Sequence, residues 1–156
     1  MSERVDRAKA LFLEGYNCSQ SIVGAFCEDV GLDFETAIKI SSSFGGGMGR
    51  LREVCGTVTG IFMLIGLKYG YTSPKDMAKK SAHYKLVQDV AARVRADWGA
   101  IVCRELLPAV AAKDTSYHPS ARTEEYYKAR PCLKMVAYAA ALAESIFLDV
   151  PRGCLF

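Results

Sequence analysis

The chain has 156 residues, 20 basic and 17 acidic side chains, a formal charge of +3, six cysteines and two histidines. That length suits one domain over residues 1–156, able to bury a core without staples. The near balance of charge, with its one dense basic cluster between Lys75 and Lys85, argues against nucleic acid as a principal partner. "MSERVDRAKALF" meets a charge every two or three positions and lacks the apolar stretch of a secretion signal, so a cytoplasmic protein is expected. In that compartment the cysteines serve as thiols, ligands or redox partners, not as a disulfide frame.

Val5, Ala8, Leu11 and Phe12 recur at helical spacing. Asn17 then caps a second helix, with Gln20 in the reciprocal capping-box position, and Gly31 closes it. Asp33 opens a short helix through Ile38, which ends in serines and the glycine run "FGGGMG". The most hydrophobic stretch, Val54 to Lys68, holds three glycines and two threonines and is too short and mixed to span a membrane. It reads as a buried central helix. Each glycine costs it up to about 1 kcal/mol against alanine, so close contact along Gly56, Thr59, Gly60, Met63 and Gly66 must offset them.

Ser73 as cap, Pro74 as first helical residue and Asp76 on the first turn start a long helix that ends at Gly99. Met77, Tyr84, Val87, Ala91, Val94 and Trp98 keep one apolar face along it. A short helix carrying Cys103 follows and is cut off at Pro108, and residues 112–130 read as largely irregular. Pro131 opens a last helix through about Phe147, with the narrow, alanine-rich face Cys132, Val136, Ala139, Ala143, Ile146. Residues 149–156 read as a surface tail. No stretch alternates with period two, so the expected fold is all-α: a compact bundle of about five or six helices with a glycine-rich turn before a buried central helix.

The glycine run lacks the lysine and the preceding strand of a phosphate loop, which excludes the usual nucleotide motifs. The cysteines carry more. Cys18, Cys55 and Cys132 fall at or near helix starts, where free amides and positive potential favour a thiolate. Cys103 stands beside Arg104, whose charge would act in the same direction. Cys27 lies roughly 900° of helical rotation from Cys18 and reads as core, and Cys154 as an exposed bystander in the tail. No CxxC pair occurs, so a zinc ribbon and a thioredoxin-type dithiol lack their signal. Thiolate ligation by Cys18, Cys55, Cys103 and Cys132, brought together by a bundle, would suit iron-sulfur, with zinc second. His83 and His118 read as surface residues.

These four cysteines carry a resemblance. The chain is similar, from about Ala8 to Glu144, to the C-GCAxxG-C-C family of putative redox-active proteins. Cys18 in "GYNCSQS", Cys55 in "GGGMGRLREVCGTVTG", Cys103 in "CRELL" and Cys132 in "PCLKMV" match its four cysteines, with "CGTVTG" standing for the literal GCAxxG. A similar helical domain occurs in split-Soret cytochromes, where it is associated with an iron-sulfur centre. This sequence has no CxxCH motif, so covalent haem is not implied. The resemblance implies a small redox protein with an unidentified redox partner. Its convergent site, Cys18, Cys55, Cys103 and Cys132, would hold an iron-sulfur cluster approached by the backbone of Gly46 and Gly47, or would work as a thiol/disulfide pair led by Cys55. Two other classes stay open: a metal or small-molecule binding protein without turnover, using Met48 and Met63 as soft ligands, and a helical interaction module with structural cysteines. The small-residue faces of the central and last helices would also support a homodimer.

Overall fold

The computed structural model describes residues 2–149; of the expected tail, Asp149 is the last residue of the final helix, and residues 150–156, with Cys154, lie outside the described residues. In chain order the helices are α1 (Glu3–Glu14), α2 (Cys18–Phe26), a 3-10 turn (Glu28–Val30), α3 (Phe34–Ser42), α4 (Gly45–Met48), α5 (Gly56–Tyr69), α6 (Met77–Trp98), α7 (Cys103–Leu106), α8 (Ala109–Lys113), α9 (Glu124–Ala129) and α10 (Cys132–Asp149). Among the described residues no strand forms, only one isolated antiparallel bridge between Val54 and Val102. The fold is all-α, and the six helices of nine residues or more match the expected bundle. Among the described residues no helix is long and apolar enough to cross a membrane.

The local signals act as read. Val5, Ala8, Leu11 and Phe12 are the buried face of α1. At the start of α2 the Gln20 amide donates to Asn17 Oδ1 at 2.9 Å, and the Asn17 amide donates to Gln20 Oε1 at 3.0 Å. Asn17 Nδ2 also donates to the Ser42 carbonyl at 3.1 Å, fastening α2 to the end of α3. Asn17→Ala is therefore expected to destabilise the chain by about 1–2 kcal/mol, read as a lowered urea midpoint with unchanged slope.

α5 is apolar on nearly every side and is enclosed by α2, α6 and α10, while α1 packs across α2 and α10. Its small face is closed by α2: a Cβ on Gly60 would stand 2.9 Å from Ile22 Cβ. Phe12, Phe26, Ile22, Ile61, Leu64 and Ile65 fill the main core, where each such side chain contributes about 1.5–3 kcal/mol by leaving water. Cys27 lies in that core, as its place on α2 implied. A smaller cluster of Cys55, Val58, Ala91, Val94, Ile101 and Met135 lies at the end of α5 where the chain enters it.

Several features differ from expectation: α2 ends at Phe26 and Gly31 closes the 3-10 turn instead, α3 runs on to Ser42, and nothing approaches within 4 Å of the Gly66 Cβ position. α6 starts at Met77, not Pro74, because Asp76 takes the cap, its carboxylate accepting from the Lys79 amide at 3.0 Å. Only Val90, Ala91 and Val94 of α6 are buried; Met77 and Tyr84 are 63% and 51% exposed, so its first half leaves the bundle. The segment from 109 to 130 also contains two short helices, α8 and α9, on either side of an irregular strap over residues 114–123.

The glycine run forms a left-handed turn. Gly46, Gly47, Met48, Gly49 and Arg50 all have positive φ, and Arg52 joins them at 63°. The turn is closed by amides of Met48, Arg50, Arg52 and Glu53 donating to carbonyls of Phe44, Gly45, Gly46 and Gly47. Left-handed backbone costs a non-glycine residue on the order of 1–2 kcal/mol, so Met48, Arg50 and Arg52 mark a place the surrounding structure over-determines.

Candidate functional site

The turn delivers the chain to Cys55, the cap residue of α5. Residues 52–55 then run antiparallel to residues 101–104: the Cys55 amide donates to Ile101 O at 2.8 Å, and the Cys103 amide donates to Glu53 O at 2.6 Å. This pairing sets Cys103, the first residue of α7, alongside Cys55. Cys18 is the first residue of α2 and Cys132 the first of α10. Gly56 completes the approach. A Cβ there would collide with Cys18 Sγ and lie 3.0 Å from Phe44 O, so only glycine lets α2 and α5 bring these two cysteines together.

All four cysteines line one cavity of about 270 Å³. Gly46 lines it as well. Gly47 stands behind it, where a Cβ would press on Cys103 and on the backbone of Arg52 and Glu53. Neither histidine and neither Met48 nor Met63 reaches the cavity; the methionine on its wall is Met135. The five described cysteines are free thiols.

Electrostatically the site departs from the expectation of lowered thiol pKa values. Burial pushes Cys55 up to about 12, with Cys18 and then Cys103 adding to the effect and a 3.2 Å hydrogen bond between Cys55 Sγ and Thr57 Oγ1 opposing it. Cys132 is pushed up to about 12, by burial first and Cys18 next. Cys103 is raised by burial and Cys18 against the pull of Arg52. Loss of water outweighs the helix starts and the nearby cations, so these thiols hold their protons at neutral pH.

The cation that reaches Cys103 is Arg52, not the neighbouring Arg104. Arg52 Nη1 lies 3.9 Å from Cys103 Sγ, whereas Arg104 turns outward to Glu53 at 3.1 Å. Arg50, Arg122 and Arg130 also wall the cavity. Sequence reasoning missed all four, because isolated arginines in "GRLREV", "ARTEEYY" and "KARPC" look like solvated charges. The strap carries one side of the cavity with Tyr117, Pro119, Ser120 and Arg122. It is fastened by Arg52 Nε to Asp114 O at 3.0 Å, Arg50 to the Asp114 carboxylate at 3.0 Å, and Arg122 to the carbonyls of Phe12 and Tyr16 at 2.8 and 3.0 Å.

Comparison with known proteins bears on this arrangement. A family model described as putative redox-active protein (C_GCAxxG_C_C) matches residues 16–146, a span that contains all four cavity cysteines. The chain belongs to the C-GCAxxG-C-C family. No curated protein and no solved structure matches it. Membership in this family joins the cysteine pattern to redox activity as its family-level description.

Proposed function

We propose that this C-GCAxxG-C-C protein is a small electron-transfer protein in which Cys18, Cys55, Cys103 and Cys132 together hold an iron-sulfur cluster. The observation that carries the reading is the meeting of four thiols, from four distant stretches of chain, on one cavity that has no carboxylate or imidazole on its wall. That donor set is the chemistry iron-sulfur ligation uses. Among the described residues no three His, Cys, Asp or Glu side chains are gathered closely enough to hold a metal ion. When bound, such a cluster supplies one-electron transfer at a potential set by its charge, its hydrogen bonds and its exposure to solvent.

The chain's own groups have defined work in this reading. Arg52 supplies an N–H toward the Cys103 sulfur. The four guanidinium groups offset negative charge on sulfur, and the strap walls one side of the cavity. Anaerobic purification with iron and acid-labile sulfide assays and visible and paramagnetic resonance spectra tests it. Iron and sulfide in stoichiometric amount are expected, with near-complete loss of both in Cys55→Ser and Cys103→Ser. A chain that stays colourless and iron-free after reconstitution would sink the cluster.

A thiol/disulfide reading draws on a different observation. Cys18 is only half-buried, and it is the neighbour that Cys55, Cys103 and Cys132 all sense. It is better placed than the proton-holding Cys55 to open an oxidised partner. Its thiolate would attack a partner disulfide and release one partner thiolate. A neighbouring thiol such as Cys55, on losing its proton, would then displace the second, leaving the partner as a dithiol and this chain as a disulfide. Alkylation and mass spectrometry across graded redox buffers would show a reversible two-electron step at Cys18 and one partner cysteine. Four thiols alkylated alike at every potential exclude it.

A further inference from the structure

The cavity wall carries four guanidinium groups and no carboxylate. Two of the four are already committed. Both Nη atoms of Arg122 hold main-chain carbonyls, and Arg130 lies 4.4 Å over the Tyr126 ring with Nη2 on Ser120. Arg50 and Arg52 are different. Arg50 pairs with Asp114 through Nη2, but its Nη1 is buried with no hydrogen-bond partner. Arg52 is 2% exposed, spends Nε on the Asp114 carbonyl, points Nη1 at the Cys103 sulfur, and leaves Nη2 buried and unpartnered. No carboxylate among the described residues pairs with it.

A buried cation without a counter-charge is costly, and so is each buried donor left without an acceptor. Both arginines also sit at positive φ, 69° and 63°, which a long side chain adopts only under constraint. So the fold holds Arg52 without a carboxylate partner and Arg50 with one carboxylate and one orphaned donor, both on a cavity wall that carries no acidic side chain. We propose that this arginine wall is the binding site of a small oxyanion, either inorganic or the acidic head of an organic molecule, with Arg52 and Arg50 as its principal donors. The guanidinium fork suits planar or tetrahedral oxygen pairs, and water-poor walls strengthen charge-assisted hydrogen bonds. Such an anion enters the cavity that the four cysteines line, and its binding is read with those thiols reduced and metal-free.

Calorimetric titration of sulfate, phenyl phosphate and acetate into the reduced, metal-free chain in low-chloride buffer tests the proposal. At least one is expected to bind at one per chain, with affinity weakened about tenfold or more in Arg52→Gln and in Arg50→Gln, since each removes a charge-assisted donor. Lys75→Gln, an exposed charge away from the cavity, is expected to bind as the parent does. Preference for sulfate assigns the site to inorganic oxyanions, for phenyl phosphate to phosphate esters, and for acetate to carboxylic acids. If Arg52→Gln loses its helical circular dichroism, Arg50→Gln decides. Absence of heat with all three anions, or equal affinity in the parent and both arginine variants, would overturn the proposal. The first result would leave the guanidinium groups as counter-charges for sulfur alone. Iron and sulfide content, measured separately, report on the cluster and do not move with this outcome.

Discussion

Gly47→Ala is expected to destabilise the chain by roughly 2–5 kcal/mol, a large share of the stability of an ordinary domain. Two costs combine. Gly47 has φ of 71°, where an L side chain is strained, and the new Cβ would stand 2.7 Å from Cys103 Cβ, 2.7 Å from the Glu53 nitrogen and 2.8 Å from Arg52 Cα. Two of those atoms are backbone, and the Glu53 nitrogen already donates to the Gly47 carbonyl at 2.9 Å, so neither can retreat cheaply. The same push moves Cys103 and Arg52 out of register with the cavity. Any residual folded fraction should therefore lose iron and sulfide, or anion affinity, as well as stability. Gly66→Ala is the control: nothing lies within 4 Å of its Cβ position and its φ is ordinary, so a helix gain of up to about 1 kcal/mol is expected. Urea unfolding of the two variants reads both signs. A Gly47→Ala midpoint within experimental error of the parent would remove the left-handed turn as a constraint on the site.

How much of this was legible follows the range of each signal. Asn17 with Gln20, Asp33 and Gly99 work through neighbours three or four residues away, and their helix boundaries came out as read. The start of α6 offered two competing caps close together, Ser73 before Pro74 and then Asp76, and the carboxylate that reaches the Lys79 amide won. The apolar face of α6 was a correct period with only half a partner: Val90, Ala91 and Val94 are buried, while Met77 and Tyr84 stay exposed. The four cysteines were legible as helix-start residues and as a family pattern. That they share a cavity depends on the antiparallel pairing of residues 52–55 with 101–104, which no local rule announces.

The arginines were illegible for a related reason. Arg52 meets Asp114 across 62 positions, and Arg122 meets the Phe12 carbonyl across 110. Only the tertiary course of the strap turns scattered charges into one wall. The direction of the thiol pKa values was misjudged on the same ground: helix position is written in the sequence, but depth of burial is a property of the assembled cavity, and here depth dominates.

That dominance fixes the pH response of the reduced, metal-free chain. Cys55 and Cys132 are pushed from the ordinary 9.0 to about 12, so each binds its proton more tightly folded than unfolded. The stability this contributes is fully present below pH 9, declines as the unfolded chain sheds protons that the folded chain keeps, and is gone at about pH 12. With two thiols acting together, stability is expected to fall by roughly 2 kcal/mol between about pH 9 and pH 10. Tyr138, held protonated by burial and by Asp97, adds a slope of the same sign. The Cys55→Ser, Cys132→Ser double variant isolates the thiol part: its urea midpoint should change far less over that interval, and an unchanged slope would show that the thiols are not the groups responsible. The same protons must leave before sulfur can ligate anything. Metal loading near neutral pH should therefore release protons to the buffer and become more favourable as pH rises toward 9, whereas anion binding at the arginine wall should show no such rise, because guanidinium stays charged throughout.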